Sequence, residues 1–340
     1  MSHWRDLNFW MGLRLRRTRL TPPILRVMTV RASFLPLFVS WLALAAGLRA
    51  ETLHVQQDAA AVVIRTGSQT EAMRYVLQKP ADSPLASESV GYFHPLTSPS
   101  GAVLTDVGPD DHRHHRGVFL AWVEMHGAGG VDADFWGWGE HAPVKDRKIV
   151  HRAVKGSASA AREGIPAAGF SVSNEWIAED KVLLNEELHA EFVLREGLHI
   201  LHLGYTLTPR TDLTLSRWAF SGFCVRTRKE DVEVFDPNGP VKLPAPQHTK
   251  PETDWPDRPW YAFTLKVADG KRAGVAVLNH PSNPPTLWHN VTGIGMLNPC
   301  IVAPAEVKLA AGKPLVLKYR VVTFDGDVPA AKLDELARER

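Results

Sequence analysis

Residues 198–207, Leu-His-Ile-Leu-His-Leu-Gly-Tyr-Thr-Leu, place an apolar side chain at every second position from Leu201 to Leu207. Successive side chains of a β-strand point to opposite faces of the sheet, so this period of two predicts a half-buried strand. Comparable short runs occur at residues 61–65, 72–77, 118–122, 170–177, 182–194, 232–235, 261–267, 274–278 and 315–324. Gly, Pro, Asn and Asp separate these runs, and many short strands at hairpin spacing predict an all-β protein built as a large antiparallel β-sandwich.

The end of the chain departs from the strand pattern. Residues 329–340 begin with Pro329 and place Leu333 and Leu336 on one helical face, which predicts one short C-terminal helix. The chain contains no GxGxxG motif, no P-loop and no alternation of strands with helices, so the nucleotide-binding α/β folds are excluded. Without repeats or a low-complexity linker, residues 51–340 are predicted to form a single domain.

The first fifty residues have the composition of an export signal. Several Arg precede an apolar run at residues 34–48, and small residues follow around Gly47. This order of basic, apolar and small residues predicts a signal peptide, cleaved between Gly47 and Glu51, and a periplasmic or secreted protein. Met28 is an alternative start, and a retained membrane anchor is the alternative to cleavage. In either case no stable membrane span is expected after residue 50.

Charge and cysteine content narrow the function classes. Residues 1–50 contain eight Arg and one Asp, so the rest of the chain has a formal charge of about −5, against +2 for the whole. A mildly acidic mature protein has no electrostatic reason to bind nucleic acid, and no nucleic-acid partner is expected. Cys224 and Cys300 are the two cysteines; an exported protein could join them, and the sequence leaves this open.

The densest chemistry lies at residues 110–116, Asp-Asp-His-Arg-His-His-Arg. Three imidazoles within four residues place groups that titrate near neutrality beside two carboxylates and two guanidinium groups. An extended run would set His112, His114 and Arg116 on one face, and Asp111, Arg113 and His115 on the other. Polar clusters on loops beside rigid strands are where function concentrates. The alternative is a solvated loop held by salt bridges.

Candidate site residues follow from this run and from polar or aromatic residues in Gly- or Pro-rich segments. General acid–base chemistry needs an imidazole and a carboxylate around a substrate, and the candidate catalytic residues are His112, His114, Glu175 and Asp111. The candidate substrate-binding residues are His94, Arg116, Trp136, His280 and Trp288. His112 and His114 could also hold a metal ion together, but the sequence does not show which third ligand would join them, so we assign no metal ligand and the cofactor is unknown.

Several pieces of the chain resemble one bacterial family. They are residues 92–96 (Tyr-Phe-His-Pro-Leu), 98–101 (Ser-Pro-Ser-Gly), 111–117 (Asp-His-Arg-His-His-Arg-Gly), 134–137 (Asp-Phe-Trp-Gly), 273–276 (Ala-Gly-Val-Ala) and 280–283 (His-Pro-Ser-Asn). This set resembles the family labelled methane oxygenase PmoA, also carried as a domain of unknown function, over roughly residues 55–326. The strand content and export context also resemble the galactose-mutarotase type of supersandwich. The first resemblance implies a fold and a site, and its label implies oxidoreductase chemistry.

The sequence is therefore compatible with three functions. The first is an exported carbohydrate-active protein, an enzyme that acts on a sugar or glycoside through His and carboxylate acid–base chemistry. The second is the metal-dependent oxidoreductase that the family label implies. The third is a non-catalytic sugar-binding module. In each case the expected partner is a small molecule or a glycan.

The export signal gives the first testable expectation. Protein recovered from the envelope of the native host should begin between residues 48 and 51, because the small residues there follow the apolar run. N-terminal sequencing checks this expectation. An intact Met1 or Met28 on that protein would contradict cleavage.

Overall fold

The structure, a computed structural model, describes residues 52–127, 132–138, 147–162 and 164–339. The predicted signal peptide lies outside the described residues. Residues 52–338 belong to one compact unit. The predicted domain limits themselves, 51–340, stay a prediction.

The strands are numbered along the chain. Those of the first part are β1 (Leu53–Gln57), β2 (Ala61–Thr66), β3 (Glu71–Val76), β4 (Tyr92–Leu96), β5 (Val118–Ala121), β6 (Met125–Gly127), β7 (Asp132–Ala133), β8 (Arg147–Arg162), β9 (Ile165–Ala178), β10 (Lys181–Arg195) and β11 (Leu198–Pro209). Those of the second part are β12 (Leu213–Leu215), β13 (Gly222–Arg226), β14 (Glu233–Asp236), β15 (Gly239–Pro240), β16 (Trp260–Lys266), β17 (Arg272–Asn279), β18 (Leu287–Trp288), β19 (Met296–Leu297), β20 (Pro299–Cys300), β21 (Val307–Leu309) and β22 (Leu315–Asp325). The helices are α1 (Ala330–Arg338) and the one-turn 3₁₀ helices Pro251–Thr253, Ala268–Gly270 and Thr292–Ile294.

Two large antiparallel sheets contain most of the strands in the described part of the chain. One has the order β1-β2-β3-β4-β5-β13-β19, and the other has the order β15-β14-β16-β17-β22-β11-β10-β9-β8. Smaller sheets pair β21-β12-β6-β7 and β18-β20. This architecture, with one short C-terminal α-helix, confirms the predicted all-β sandwich.

The core lies between the two large sheets. The ring of Phe170 in β9 lies 5.3 Å from Tyr75 in β3 and 6.3 Å from Phe93 in β4, so aromatic rings join the sheets. On the other side of the core, Phe223 in β13 stacks on Tyr319 in β22 with ring centroids 4.1 Å apart. Aromatic pairs of this kind add to the stabilisation that comes from burying their apolar area.

Strand β11 follows the sequence pattern that predicted it. Leu201, Leu203, Tyr205 and Leu207 are all buried in the core between the sheets. The opposite face carries a second apolar cluster, because Leu198 and Ile200 pack with residues of β16, β17, β22 and helix α1. The period-2 alternation therefore has two buried faces at this strand, since the helix covers the outer one.

Helix α1 is where the sequence predicted a helix. Leu333 and Leu336 are both buried against the outer face of the nine-stranded sheet. Asp334 accepts a hydrogen bond from the indole Nε1 of Trp260 in β16 at 2.8 Å. The helix begins directly after Pro329 and ends at Arg338, and Arg340 lies outside the described residues. None of the helices in the described residues is long and apolar enough to cross a membrane.

Cys224 in β13 and Cys300 in β20 are both buried free thiols. The structure therefore joins neither of them in a disulfide, which answers the question that the sequence left open.

Gly117 permits the His-rich run to enter the sheet at β5. Its φ is +60°, a value that residues other than glycine rarely adopt, and its N–H donates to the carbonyl of Asp106 at 2.8 Å. A Cβ at this position would lie 2.0 Å from the carbonyl oxygen of Phe93 in β4. Only glycine therefore fits between the end of the run and the neighbouring strand.

Replacing this glycine should destabilise the sandwich. We expect Gly117→Ala to lower the free energy of unfolding by roughly 3 kcal/mol or more, because left-handed strain of about 1–2 kcal/mol adds to an overpacking cost of about 1–3 kcal/mol. The matched control is Gly197→Ala, which also has positive φ (+77°) but meets nothing within 4 Å. Urea denaturation of both variants measures the difference. Equal losses would contradict the close approach to β4.

Candidate active site

The run at residues 110–116 folds as turns. The N–H of His112 donates to Pro109 at 2.9 Å, and the N–H of His115 donates to His112 at 2.9 Å. A bridge between Val107 and Arg116 closes the run into a loop. The predicted extended run, with His115 facing away from His112 and His114, is therefore wrong. Turn hydrogen bonds satisfy part of its backbone, and the N–H groups of Ala86 and Gly108 donate to the carbonyls of Arg113 and His115 at 2.7 and 2.8 Å.

The turns bring the three imidazoles together as one group, the imidazole cluster of His112, His114 and His115. The ring of His115 lies 4.7 Å from that of His112 and 4.6 Å from that of His114. The rings of His112 and His114 are 5.6 Å apart. Three titratable rings in mutual contact cannot all be protonated, because like charges at this distance repel.

His115 is the structural member of the imidazole cluster. Its side chain is buried, and its Nδ1 lies 3.4 Å from Nη1 of Arg226. A guanidinium group can only donate, so His115 Nδ1 is the acceptor in this contact. Burial, with the charges of neighbouring His114 and Arg226, lowers the pKa of His115 well below its ordinary value. His115 is therefore neutral, with its proton on Nε2, and its ring packs edge-on against Trp136 at 5.6 Å.

His114 is positioned by the turn at residues 134–137. The N–H of Gly137 donates to Asp134 Oδ1 at 2.7 Å, and Gly137 has a φ of +102°. A Cβ on Gly137 would lie 2.5 Å from the Cβ of His114, so the glycine makes room for this side chain. Burial lowers the pKa of His114 to about 3, and its Nε2 has no hydrogen-bond partner among the described residues. The Asp-Phe-Trp-Gly piece therefore serves to seat His114.

Asp111 is the carboxylate of the loop. It accepts hydrogen bonds from Arg226 at 2.8 Å and from Lys229 at 2.7 Å, and its Oδ1 lies 3.5 Å from His112 Nδ1. Burial would raise its pKa, but the hydrogen bond from Lys229 and the charge of Arg226 outweigh this and lower the pKa of Asp111 to about 2. Asp111 and His112 thus lie side by side, although an extended run would have separated them.

His112 is the member of the imidazole cluster that joins it to the surface. Its side chain is 19% exposed. Burial and the charge of Arg226 lower the pKa of His112, and Asp111 only partly offsets this effect. At neutral pH the ring is therefore unprotonated and able to accept a proton.

Three of the predicted binding residues are buried. The guanidinium of Arg116 lies over the ring of Phe119 at 4.6 Å and donates to the carbonyl of Phe135 at 3.2 Å. Trp136 packs between Phe119 and Phe220. Trp288 is also fully buried in the core. Each side chain is enclosed by packing that the local sequence does not reveal, so the predicted roles of Arg116, Trp136 and Trp288 in contacting a ligand directly are corrected.

The remaining candidates lie apart from the imidazole cluster. Glu175 in β9 points to the face opposite the buried Trp176 and pairs with Arg152 at 2.7 Å. His280 follows β17 and its Nδ1 accepts from the N–H of Ser282 at 3.0 Å. His94 in β4 bonds Thr105 Oγ1 at 3.0 Å. The alternation of β9 places Glu175 on the outer face, so the structure does not bring it to His112 or His114.

An aromatic wall continues from the imidazole cluster. We give this name to Trp136, Trp138 and Phe220, whose rings are in contact at 5.4 Å from Phe220 to each Trp. Trp138 is only partly buried, while Trp136 and Phe220 are buried. The ring of His248 lies 5.8 Å from Trp138 and 5.5 Å from Phe220. The charge of His248, when protonated, also lowers the pKa of His112 slightly.

Behind His248 lies a line of hydrogen bonds that the sequence did not predict. His248 Nδ1 is 2.9 Å from His289 Nε2, and His289 Nδ1 is 2.6 Å from Asp254 Oδ1. The side chains of His289 and Asp254 are both 0% exposed. A backbone bridge between Trp255 and Trp288 sets Asp254 beside His289. In the sequence, Asp254 directly precedes Trp255 and His289 directly follows Trp288, and these aromatic neighbours were the signal that could have indicated the pair.

Within the described ranges, no group of three or more His, Cys, Asp or Glu side chains is arranged to hold a metal ion.

Comparison with known proteins gives a family and distant structural similarities. The model of a family of unknown function, DUF6807, matches residues 61–338. No curated protein matches the chain. The methane oxygenase label stays a prediction.

Among solved structures, the α-galactosidase AgaA of Geobacillus stearothermophilus, from the group GH36, is 10% identical at a TM-score of 0.36 and covers 81% of this chain and 41% of its own. The heparan sulfate lyase HepC of Pedobacter heparinus is 8% identical at a TM-score of 0.33, with coverages of 82% and 37%. The Slr1438 protein of Synechocystis sp. PCC 6803 is 10% identical at 0.34, with coverages of 81% and 95%. This chain spans about two fifths of the length of the galactosidase, whose activity belongs to that enzyme.

The ion pair of Asp111 gives a pH-dependent prediction. Asp111→Asn should lower the free energy of unfolding by about 2 kcal/mol at pH 7, because the buried Arg226 loses its charged acceptor. The pKa of Asp111 in the folded protein is about 2, below its ordinary 3.8. Its contribution is therefore complete above about pH 4 and is lost as the pH falls through 2.

The measurement is urea denaturation of the wild type and Asp111→Asn between pH 6 and pH 2. The difference between the two proteins should shrink as the pH falls. The control is Asp110→Asn, because Asp110 is 93% exposed and pairs only with the exposed Arg113 among the described residues. A difference that stays constant down to pH 2, or an equal loss in the control, would contradict the assigned role of Asp111.

Proposed function

We propose that this chain, which belongs to the DUF6807 family, is an exported carbohydrate-active enzyme that moves protons on a sugar or glycoside. The observation that carries the proposal is that the neutral imidazoles of His112 and His114 contact His115, whose ring lies 5.6 Å from Trp136 of the aromatic wall. Trp138 of that wall is partly exposed. Aromatic faces stack on the apolar faces of sugar rings, and imidazoles and carboxylates bond their hydroxyl groups. Both kinds of group meet here.

His112 is the proposed base, because its pKa is lowered from 6.5 and its ring is unprotonated at neutral pH. His114, whose pKa burial lowers to about 3, is a weak base, and its neutral ring is proposed to hydrogen-bond a hydroxyl group of the sugar. Asp111 faces His112 Nδ1 and favours the tautomer with its proton there. The free electron pair of His112 is then on Nε2, the atom proposed to act as the base.

Acid–base chemistry also needs a donor. The ring of His248 lies 5.8 Å from Trp138 of the aromatic wall, and its charge acts on His112. An imidazole on each side of a bound sugar allows one ring to remove a proton while the other returns one, as an epimerase or a lyase requires. Lys229, whose side chain is half exposed beside Asp111, can bond an oxygen-rich group at the edge. This replaces the role that the sequence assigned to Arg116.

The decisive experiment compares variants of the protein that starts at Glu51. The probes are a panel of monosaccharides, disaccharides and uronic-acid oligosaccharides, followed by proton NMR in D₂O to detect both new products and exchange of carbon-bound hydrogen. We expect His112→Ala to reduce turnover on the order of a hundredfold or more while the protein stays folded. His189→Ala is the matched control, because His189 is exposed on β10 and bonds only Ser171 Oγ among the described residues.

His115→Ala should behave differently from both. Removing the His115 imidazole takes away the acceptor of the buried Arg226 Nη1–H and should lower the free energy of unfolding by roughly 1–3 kcal/mol. Equal, mild effects of His112→Ala, His115→Ala and His189→Ala on turnover would contradict the proposal. Binding of a sugar that quenches Trp fluorescence without any turnover would favour a sugar-binding module. Turnover that stops with a chelator would favour the metal-dependent oxidoreductase.

A further inference from the structure

Three polar side chains from separate segments lie in a line that runs from the buried interior to the proposed site. Asp254 closes the first 3₁₀ helix, His289 follows β18, and His248 lies in the loop before Pro251. The contacts are 2.6 Å between Asp254 Oδ1 and His289 Nδ1, and 2.9 Å between His289 Nε2 and His248 Nδ1. The side chains of Asp254 and His289 are 0% exposed, whereas His248 is half-buried. Its Nε2 is the end of the line that faces outward.

Two arrangements of hydrogens satisfy both contacts. In the first, Asp254 is ionised, His289 carries its proton on Nδ1 and donates to it, and His248 carries its proton on Nδ1 and donates to His289. In the second, Asp254 is protonated and donates to His289 Nδ1, His289 donates from Nε2, and His248 carries its proton on Nε2. Each ring is neutral in both arrangements, which differ by one proton.

We propose that Asp254, His289 and His248 form a proton relay that titrates as one unit and supplies or removes a proton at His248 Nε2. This inference rests on the proposed function for its purpose, but not for its existence. A proton bound at His248 Nε2 releases the Nδ1 proton of that ring to His289 Nε2. His289 in turn releases its Nδ1 proton to Asp254 Oδ1. One N–H bond forms and one breaks on each ring, and the charge of the carboxylate is neutralised.

Burial favours this route over a charged imidazole. The Asp254 side chain is fully buried, and its Oδ2 has no hydrogen-bond partner among the described residues. Burial, with the nearby charge of Glu252, raises the pKa of Asp254 to about 8. Burial lowers the pKa of His289 to about 3. A carboxylate that is costly to ionise and an imidazole that is costly to protonate share a proton best by passing it through neutral rings.

The charged and titratable groups around the relay are few in the described residues. Glu252 and Arg217 act on Asp254 with opposite signs. The thiol of Cys300 lies near Asp254, and burial raises its pKa far enough to keep it neutral. The charges of His112 and His248 also act on each other. None of these groups lies between two members of the relay, so they shift its midpoint without replacing a step.

Nitrogen-15 NMR of the imidazole rings tests the relay without any substrate. In the wild type, His289 and His248 should both change tautomer, from Nε2–H at lower pH to Nδ1–H at higher pH, with one common midpoint near pH 8. Signals are assigned with His248→Gln. The relay is overturned if His289 keeps one tautomer throughout while His248 alone becomes an imidazolium ion.

Two variants separate the relay from simple electrostatics. In Asp254→Asn the amide cannot take up a proton, so His289 should keep one tautomer at every pH, and His248 should titrate alone. Glu252→Gln is the control, since it removes a nearby charge but no member of the relay. It should lower the common midpoint and keep the tautomer change. A tautomer change that persists in Asp254→Asn would also overturn the proposal.

The same variants distinguish this inference from the proposed function. If a sugar of the panel is turned over, Asp254→Asn should reduce the rate on the order of a hundredfold near neutral pH and change the shape of the pH–rate profile, whereas Glu252→Gln should only shift that profile. A wild-type profile that Asp254→Asn leaves unchanged would mean that the relay does not serve turnover. A tautomer change in a protein that acts on no sugar would keep the relay and remove the function.

Discussion

The buried guanidinium of Arg226 is the interaction on which the candidate site depends. Arg226 ends β13, its side chain is 0% exposed, and a buried cation of this kind must find acceptors. Asp111 provides a charged acceptor and His115 Nδ1 lies within reach of a second N–H. The backbone N–H of Arg226 also donates to Gly117 at 2.8 Å. One residue of the sheet therefore holds the loop at its carboxylate, at its buried imidazole and at its exit.

The electrostatic consequences spread from this contact. Burial lowers the pKa of His112, His114 and His115, and the charge of Arg226 lowers each further, so the imidazoles stay neutral. The hydrogen bond from Lys229 and the charge of Arg226 keep Asp111 ionised. A neutral imidazole beside an ionised carboxylate is the state in which a histidine can act as a base. The cation that fixes the loop therefore also contributes to the protonation state of the proposed catalytic groups. Structural and chemical roles therefore converge on Arg226, a residue that the sequence did not single out.

The second half of the site depends on backbone pairing far from the His-rich loop. Two backbone hydrogen bonds, of 2.8 and 3.0 Å, join Trp255 to Trp288. Asp254 directly precedes Trp255, and His289 directly follows Trp288. Both indoles are buried, so this bridge is anchored in the core. The sequence marked Trp288 as a contact for a ligand. In the structure, Trp288 instead positions His289, because its buried indole and its backbone bonds to Trp255 fix the segment that carries both residues.

The sequence by itself determined the fold class and pointed to the segment of the candidate site. The alternation at Leu201–Leu207, the punctuated short strands and the C-terminal Leu333 and Leu336 sufficed, because strand and helix periods are local properties of the chain. The density of ionisable residues at 110–116 likewise located the imidazole cluster. Only the tertiary structure decided which side chains share that site. Arg116 and Trp136 are buried by distant rings, Glu175 is turned outward by its strand, and His248, His289 and Asp254 are brought in by pairing between segments. Burial and long-range pairing depend on the whole packed chain, and no local pattern encodes them.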